Sequence, residues 1–157
     1  MAALARANAW QRAIRELAAL KKQMPSNAMV ESLAASLYAA AGDSAQALAT
    51  YREALRVYPA NRALVYDYAA ALLKNRQPQE ALKLVESRLQ YATTDYRLYV
   101  LQAQCYAALN KSLPQHRALA ESYYQQGNIP AAIEQLVLAQ KSGDANFRSE
   151  EHTSELQ

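Results

Sequence analysis

The chain has 157 residues, a length that suggests one domain. The composition is rich in alanine and leucine and has only three glycines. It favours helices, because alanine and leucine cost little in a helix and glycine costs much. The net charge of +3 is too small to indicate nucleic acid binding, and no run of about 18 apolar residues predicts a membrane span. The single cysteine, Cys105, excludes an internal disulfide bond. The opening MAALARANAW carries charge and tryptophan where a signal peptide needs a continuous apolar core, so no export signal is expected in the sequence as given.

The first two thirds of the chain show an internal period of about 34 residues. Three sets of positions carry this period: Ala13, Ala47 and Ala81; Leu17, Tyr51 and Val85; and the possible helix N-caps Asn27, Asn61 and Asp95. Asparagine and aspartate at such positions can accept hydrogen bonds from the free N–H groups of the following helix. A period of this length in paired helices is typical of the tetratricopeptide repeat (TPR).

The first repeat along the chain is incomplete. Residues 2–7 are interpreted as the remainder of its first helix, and residues 10–23 as its second helix. Because the chain starts inside a helix by this interpretation, the natural protein is expected to extend further at its N-terminus.

Residues 28–61 form the clearest copy of the repeat. Six positions in it match the TPR pattern: Tyr38, Gly42, Ala47, Tyr51, Ala54 and Pro59. Gly42 is expected to end the first helix of the pair, because a left-handed backbone costs glycine least. Ala47 and Ala54 are small where the two helices cross, and the two tyrosines fill the space between helices. Pro59 is expected to close the second helix, because the residue before a proline resists the helical conformation.

Residues 62–95 form a weaker copy. They keep Ala81 in the alanine position but have Arg76 where the pattern places glycine. In the C-terminal part Gly127 and Ala132 again occupy the glycine and alanine positions, yet the distance from Ala81 to Ala132 is one and a half periods. The register of the repeats therefore slips by half a repeat.

This slip predicts three helices, over residues 95–109, 114–126 and 130–140. The middle helix is expected to act as the second helix of one pair and as the first helix of the next. A solenoid tolerates such a step, because each helix needs only its adjacent helices. The sequence as a whole predicts an all-α TPR solenoid of helical hairpins, a right-handed superhelix of about four repeats that is truncated at both ends.

The last ten residues, RSEEHTSELQ, continue none of these patterns. Their reverse translation, AGATCGGAAGAGCACACGTCTGAACTCCAG, is similar to the standard adapter that is ligated to fragments in short-read sequencing. We therefore interpret residues 148–157 as a non-native disordered tail and residues 1–147 as the TPR domain. The alternative is an ordinary disordered acidic tail.

Residues 115–147 carry a further resemblance. They combine a His-Arg-Ala-Leu-Ala-Glu opening, a Gln-Gly-Asn turn, an Ala-x-Glu-Gln-Leu helix and a Gly-Asp-x-x-Phe close, of which the TPR pattern explains only the glycine and the alanine. Together with ARANAWQRAIRELAAL and the regular repeats that follow it, this order resembles the C-terminal region of BepA-type (YfgC-type) bacterial zinc metallopeptidases.

The resemblance implies a parent protein with an N-terminal peptidase domain that carries an HExxH zinc motif. It also implies a periplasmic location and a role in outer-membrane protein quality control. In that family the TPR part docks onto the assembly machinery and presents client polypeptides to the protease, so these proteins are the partners that the resemblance implies. Zinc belongs to the suspected parent, and no cofactor is expected in this chain.

The chain itself contains no catalytic set. A zinc peptidase needs two histidines four residues apart on one helical face, and the only histidine before residue 148 is His116. His116 is interpreted as a helix-start residue with an exposed ring, and Cys105 as a core residue rather than a reactive thiol. Scattered glutamates and the absence of a glycine-rich phosphate loop give no support to other catalytic classes. The chain is therefore not expected to be an enzyme.

The remaining functional surface is the concave groove that the first helices of TPR pairs line. Projection from the clearest copy places ten residues there as candidate partner-binding residues: Met29, Ser32, Ser36, Tyr66, Lys74, Arg97, Gln104, Arg117, Glu121 and Tyr124. Aromatic and arginine side chains with polar neighbours suit an extended segment or a loop of a partner protein.

Two classes of function remain open at this point. The first is the interaction module of a periplasmic metallopeptidase. The second is a stand-alone TPR adaptor, cytoplasmic or otherwise, with no linked enzyme. An HExxH helix encoded upstream of this segment would select the first class.

Overall fold

The computed structural model describes residues 2–25 and 27–142, and this part of the chain is all helical. Its eight helices are α1 (Ala2–Gln23), α2 (Ala28–Ala40), α3 (Ser44–Val57), α4 (Arg62–Lys74), α5 (Pro78–Leu89), α6 (Tyr96–Ala108), α7 (Ser112–Gln125) and α8 (Ile129–Lys141). The chain divides into two compact units, Met1–Asn75 and Arg76–Gln157. The interpreted tail, residues 148–157, lies outside the described residues.

Small residues form the centre of the first unit, where α2 packs against α1, α3 and α4. Ala34 and Ala35 on α2 and Ala47 on α3 are fully buried, which allows close approach of the helices. Leu17 of α1 and Val30 of α2 complete the core beside them. The alanine in the TPR position thus has the packing role that the sequence predicts.

In the second unit each helix packs against the next, from α5 to α8. Ala81, Val85 and Cys105 are fully buried in it, and Leu98 is almost so. Helix α7 packs equally closely against α6 and α8, so the predicted double role of the middle helix is confirmed.

Four of the described residues have a left-handed backbone, all of them in turns, with φ of +91° at Gly42, +57° at Arg76, +57° at Asn110 and +74° at Gly127. The first three recur once per repeat, at intervals of about 34 residues, and Gly127 follows Asn110 after half that distance. The turn geometry therefore keeps the repeat period even where glycine is absent. Arg76 adopts a conformation that costs an ordinary L-residue about 1 kcal/mol.

A hydrogen bond of the same type closes three of these turns. The N–H of Asp43 donates to the carbonyl of Tyr38 at 2.9 Å, and the N–H groups of Lys111 and Asn128 donate in the same way to Tyr106 and Tyr123, also at 2.9 Å. Such bonds satisfy carbonyls that a helix end would otherwise leave unpaired.

The predicted N-caps are confirmed. Asn27 accepts from the N–H groups of Met29 and Val30 and so caps α2. Asn61 caps α4 and Asp95 caps α6 by the same kind of bond.

The predicted break in the first repeat is wrong. Residues 2–23 form one continuous helix, α1, where the repeat pattern placed two helices, 2–7 and 10–23. The segment between them, Asn8 and Ala9, contains neither glycine nor proline, so nothing there ends a helix.

Candidate functional site

A groove of about 430 Å³ lies on the first unit and is formed by α2, α3 and α4; we call it the α2–α4 groove. Helix α2 contributes Met29, Ser32, Leu33 and Ser36, which lie on neighbouring turns of one helical face. Across from them lies Asp67 on α4. Three helices of one packed unit therefore hold the walls of the groove in place.

The floor of the groove is aromatic and buried. The side chain of Tyr51 on α3 is only 5% exposed, and its ring stacks on that of Tyr68 with the centroids 5.9 Å apart. Burial raises the pKa of the Tyr51 hydroxyl, and the charge of Asp67 raises it further. Tyr51, Ser32 and Asp67 thus line the same groove, where Ser32 is bonded to Asp67.

The rim of the groove is apolar. The side chain of Met29 is 81% exposed and that of Leu33 is 45% exposed. Complete burial of such a side chain is favourable by about 1.5–3 kcal/mol, so covering either one would be favourable.

The polar groups of the groove are fixed by bonds within the unit. The Oγ of Ser32 donates to Oδ2 of Asp67 at 2.7 Å, across 35 residues of sequence, and the Oγ of Ser36 donates to the carbonyl of Leu33 at 2.9 Å. On the other side of α2 the Nζ of Lys21 lies 2.7 Å from Oε2 of Glu31, an ion pair that joins α1 to α2. Among the described residues that line the groove, Asp67 is the only one with a charged side chain.

A second concavity, of about 380 Å³, lies in the second unit between α6 and α7; we call it the α6–α7 pocket. Tyr99, Tyr106, Arg117 and Glu121 are among its lining residues, so it carries both signs of charge.

The two tyrosines of the α6–α7 pocket are held by internal bonds. The hydroxyl of Tyr106 donates to Oε1 of Glu86 at 2.9 Å, and that of Tyr99 donates to the carbonyl of Thr93 at 3.0 Å. Burial first, and then the bond to Glu86, raise the pKa of Tyr106 to about 12. Burial and the charge of Glu121 raise the pKa of Tyr99.

The structure separates the ten candidate residues into three groups. Met29, Ser32 and Ser36 line the α2–α4 groove, and Arg117 and Glu121 line the α6–α7 pocket. The other five line neither concavity: Tyr66, Lys74, Arg97, Gln104 and Tyr124.

Sequence reasoning missed Leu33 and Asp67, which line the α2–α4 groove. These two residues are themselves one repeat period apart, so the same repeat position faces the groove on both α2 and α4. The repeat period therefore contained the information, but the projection used Ser32 and Tyr66, each one residue before Leu33 and Asp67.

His116 is half-buried, although the sequence suggested an exposed ring. Its Nδ1 lies 2.9 Å from Oε1 of Gln135, a hydrogen bond that joins α7 to α8 and that α7 alone could not predict. Cys105 is fully buried, and burial raises the pKa of its thiol to about 11, so it is a core residue as predicted. Among the described residues no group of three or more His, Cys, Asp and Glu side chains could hold a metal ion. No helix within the described ranges is long and apolar enough to cross a bilayer.

Comparison with known proteins identifies the repeat. Residues 38–105 match the family model of the tetratricopeptide repeat. No curated protein matches the chain significantly.

Several solved structures share the fold. A MamA structure that comprises residue 41 to the end, from Desulfovibrio magneticus RS-1, is 20% identical with a TM-score of 0.54, and the alignment covers 84% of each chain. The MamA RS-1 ArsTM double mutant is 19% identical with a TM-score of 0.56, again over 84% of each chain. YrrB, described as a TPR protein with an unusual peptide-binding site, is 20% identical with a TM-score of 0.51 over 94% of this chain and 87% of its own. The predicted all-α fold of TPR type is therefore confirmed.

Proposed function

We propose that the chain is a protein-interaction module and that the α2–α4 groove binds a segment of a partner protein. The observation that carries the proposal is the pairing of two exposed apolar anchors, Met29 and Leu33, with a hydrogen-bonded polar pair, Ser32 and Asp67, above a buried aromatic floor. Apolar anchors surrounded by oriented polar groups are typical of peptide-binding surfaces. The match of residues 38–105 to the tetratricopeptide repeat model supports this assignment.

Selection from a displayed library of random peptides on the full chain tests the proposal. Peptides recovered on the wild-type chain are expected to lose at least about tenfold in affinity when Leu33→Asp places a charge at the rim. Val57→Asp is the matched control, because Val57 is an exposed apolar residue of the same unit, at 52%, and does not line the groove.

Hydrogen exchange of the complex locates the binding face. Binding should protect α2 and α4 and leave α8 unchanged. Equal affinity for the wild-type chain and the Leu33→Asp variant, or protection confined to the second unit, contradicts the assignment of the α2–α4 groove.

In a finer version of the proposal, the module is the docking part of a periplasmic zinc metallopeptidase in outer-membrane protein assembly quality control. Its partners are then the assembly machinery or a client polypeptide. The resemblance of residues 115–147 to the C-terminal region of that family supports this version. The alternative is a stand-alone TPR adaptor. Sequencing of the genomic locus decides between them: an upstream HExxH-encoding frame with an export signal supports the peptidase, and a frame that opens only onto further repeats supports the adaptor.

Both versions propose that this chain has no peptidase activity of its own. Purified residues 1–147 with added zinc are expected to leave casein intact. Casein cleavage that a chelator abolishes would contradict this expectation.

A further inference from the structure

The lining of the α2–α4 groove is one-sided in charge. Asp67 carries the only charge among the described lining residues, and none of them is positive. Arg62, the first residue of α4, does not line the groove, and Glu31 of α2 is paired with Lys21 outside it. An anionic ligand group would therefore find no cationic partner among these residues, whereas a cation would find an anionic one.

The carboxylate of Asp67 is held in a fixed orientation. The Oγ of Ser32 donates a hydrogen bond to Oδ2 at 2.7 Å. Because the Ser32 bond joins α2 to α4, the fold already restricts the rotation of the Asp67 side chain before a ligand binds. A charge-assisted bond to such a preorganised group loses less entropy than one to a freely rotating side chain.

Hydroxyl-bearing side chains line the groove together with this carboxylate. The hydroxyl group of Ser32 is bonded to it, and Tyr51, which is 5% exposed, lines the same groove. Hydroxyl and carboxylate oxygens are the acceptors that an ammonium or guanidinium group requires. The apolar rim of Met29 and Leu33 lies on the same groove and suits the aliphatic stem of a long cationic side chain or an apolar neighbour of it.

We infer that the α2–α4 groove selects a segment of a partner protein in which a lysine or arginine side chain lies beside an apolar side chain. Asp67 binds the cation, Ser32 orients Asp67, and Met29 and Leu33 bind the apolar part. This inference rests on the proposed function and adds the ligand class to it.

The test uses the displayed random-peptide library described above, selected in parallel on the full chain and on variants. Peptides recovered on the wild-type chain are expected to be enriched in lysine and arginine at a fixed distance from an apolar residue. The variant Asp67→Lys is expected to reverse this enrichment toward aspartate and glutamate.

Individual peptides from the wild-type selection then measure the effect. Asp67→Asn keeps the size of the side chain and is expected to weaken their binding about fivefold, a loss that shrinks when salt is raised. Glu80→Gln removes an equal charge from the exposed surface of α5, outside the groove, and is expected to change nothing. Thermal unfolding of each variant shows that it is folded.

The outcomes separate this inference from the proposed function. Peptides that depend on Leu33 but show no lysine or arginine enrichment, or the same enrichment on Asp67→Lys, overturn the ligand class and leave the groove as the binding site. Failure to recover any peptide that depends on Leu33 overturns both.

Discussion

The two units use the same turns and the same helix pairs but present different surfaces. In the first unit the polar groups of Ser32 and Asp67 lie in the groove itself, and Asp67 is the only charge among the described lining residues. In the second unit the hydroxyl groups of Tyr99 and Tyr106 are used in internal bonds, and the pocket carries both Arg117 and Glu121. The repeat therefore fixes the backbone, and the few residues between the packing positions decide the charge of each concavity.

The largest expected effect tests how alike the two units are inside. Leu64 and Leu98 occupy the same position in successive repeats and are 1% and 2% exposed. Leu64→Ala and Leu98→Ala should each lower the free energy of unfolding by about 3 kcal/mol, because each leaves a cavity. Chemical denaturation measures both values. If the two losses differ by more than about 2 kcal/mol, the second unit is packed differently from the first at equivalent positions.

A smaller effect is expected at the turns. Gly42→Ala should cost about 1 kcal/mol, because alanine resists a φ of +91° although no atom lies within 4 Å of its added methyl group. Arg76→Gly should stabilise the chain, by less than about 1 kcal/mol, because glycine relieves the left-handed strain but increases the entropy of the unfolded chain. Thermal unfolding should therefore show a lower melting temperature for Gly42→Ala and a higher one for Arg76→Gly. Changes of the same sign in both variants would contradict this prediction.

A pH effect is expected in the second unit, at Tyr106 on α6. Burial and the bond to Glu86 raise its pKa from 10.0 to about 12 in the folded chain. Above pH 10.0 the Tyr106 hydroxyl loses its proton in the unfolded chain before it does so in the folded chain. The contribution of Tyr106 to the free energy of unfolding is therefore complete below pH 10.0 and is lost as the pH rises toward about 12. Tyr106→Phe should flatten the stability profile in this window. Glu86→Gln should lower the pKa of Tyr106, which ultraviolet titration records; an unchanged titration would mean that burial alone accounts for the shift.

The smallest effect on unfolding is expected at α8, which exposes more large apolar side chains than any helix of the first unit does among the described residues. Ile129, Ile133, Leu136 and Val137 are each 41% to 57% exposed and lie on neighbouring turns of this helix. The double variant Ile133→Glu with Leu136→Glu should change the free energy of unfolding by less than about 0.5 kcal/mol. It should reduce association at high concentration, because a contiguous apolar patch favours contacts between molecules. Light scattering of the variant and the wild-type chain makes the comparison, with Tyr91→Glu as a control at an exposed residue of the turn after α5.

The sequence predicted the features that recur with the period. The caps at Asn27, Asn61 and Asp95, the turn at Gly42 and the double role of α7 all follow from spacing, because each is a local requirement of a helix end or a helix pair. The left-handed backbone at Arg76 was not predicted, since its residue type argues against it and only the phase argues for it.

The groove was predicted only in part. Met29, Ser32 and Ser36 line the groove from one helical face, and their role in binding a partner stays a prediction. On α4 a shift of one residue in the projected phase exchanges Tyr66 for Asp67, and only the position of Leu33 in the groove, one period earlier, indicates the correct phase. The bonds between Ser32 and Asp67 and between His116 and Gln135 likewise join residues whose distance apart in sequence carries no periodic signal.

The half-period step at Gly127 has an evolutionary consequence. Because α7 packs as closely against α8 as against α6, one helix serves as a member of two pairs, and a solenoid needs only such contacts between adjacent helices. We expect that an array built in this way can gain or lose one helix with its turn, so that the number of its helices changes between odd and even. Each such change exchanges the type of helix that ends the array. It therefore also changes the surface against which any adjoining helix would pack.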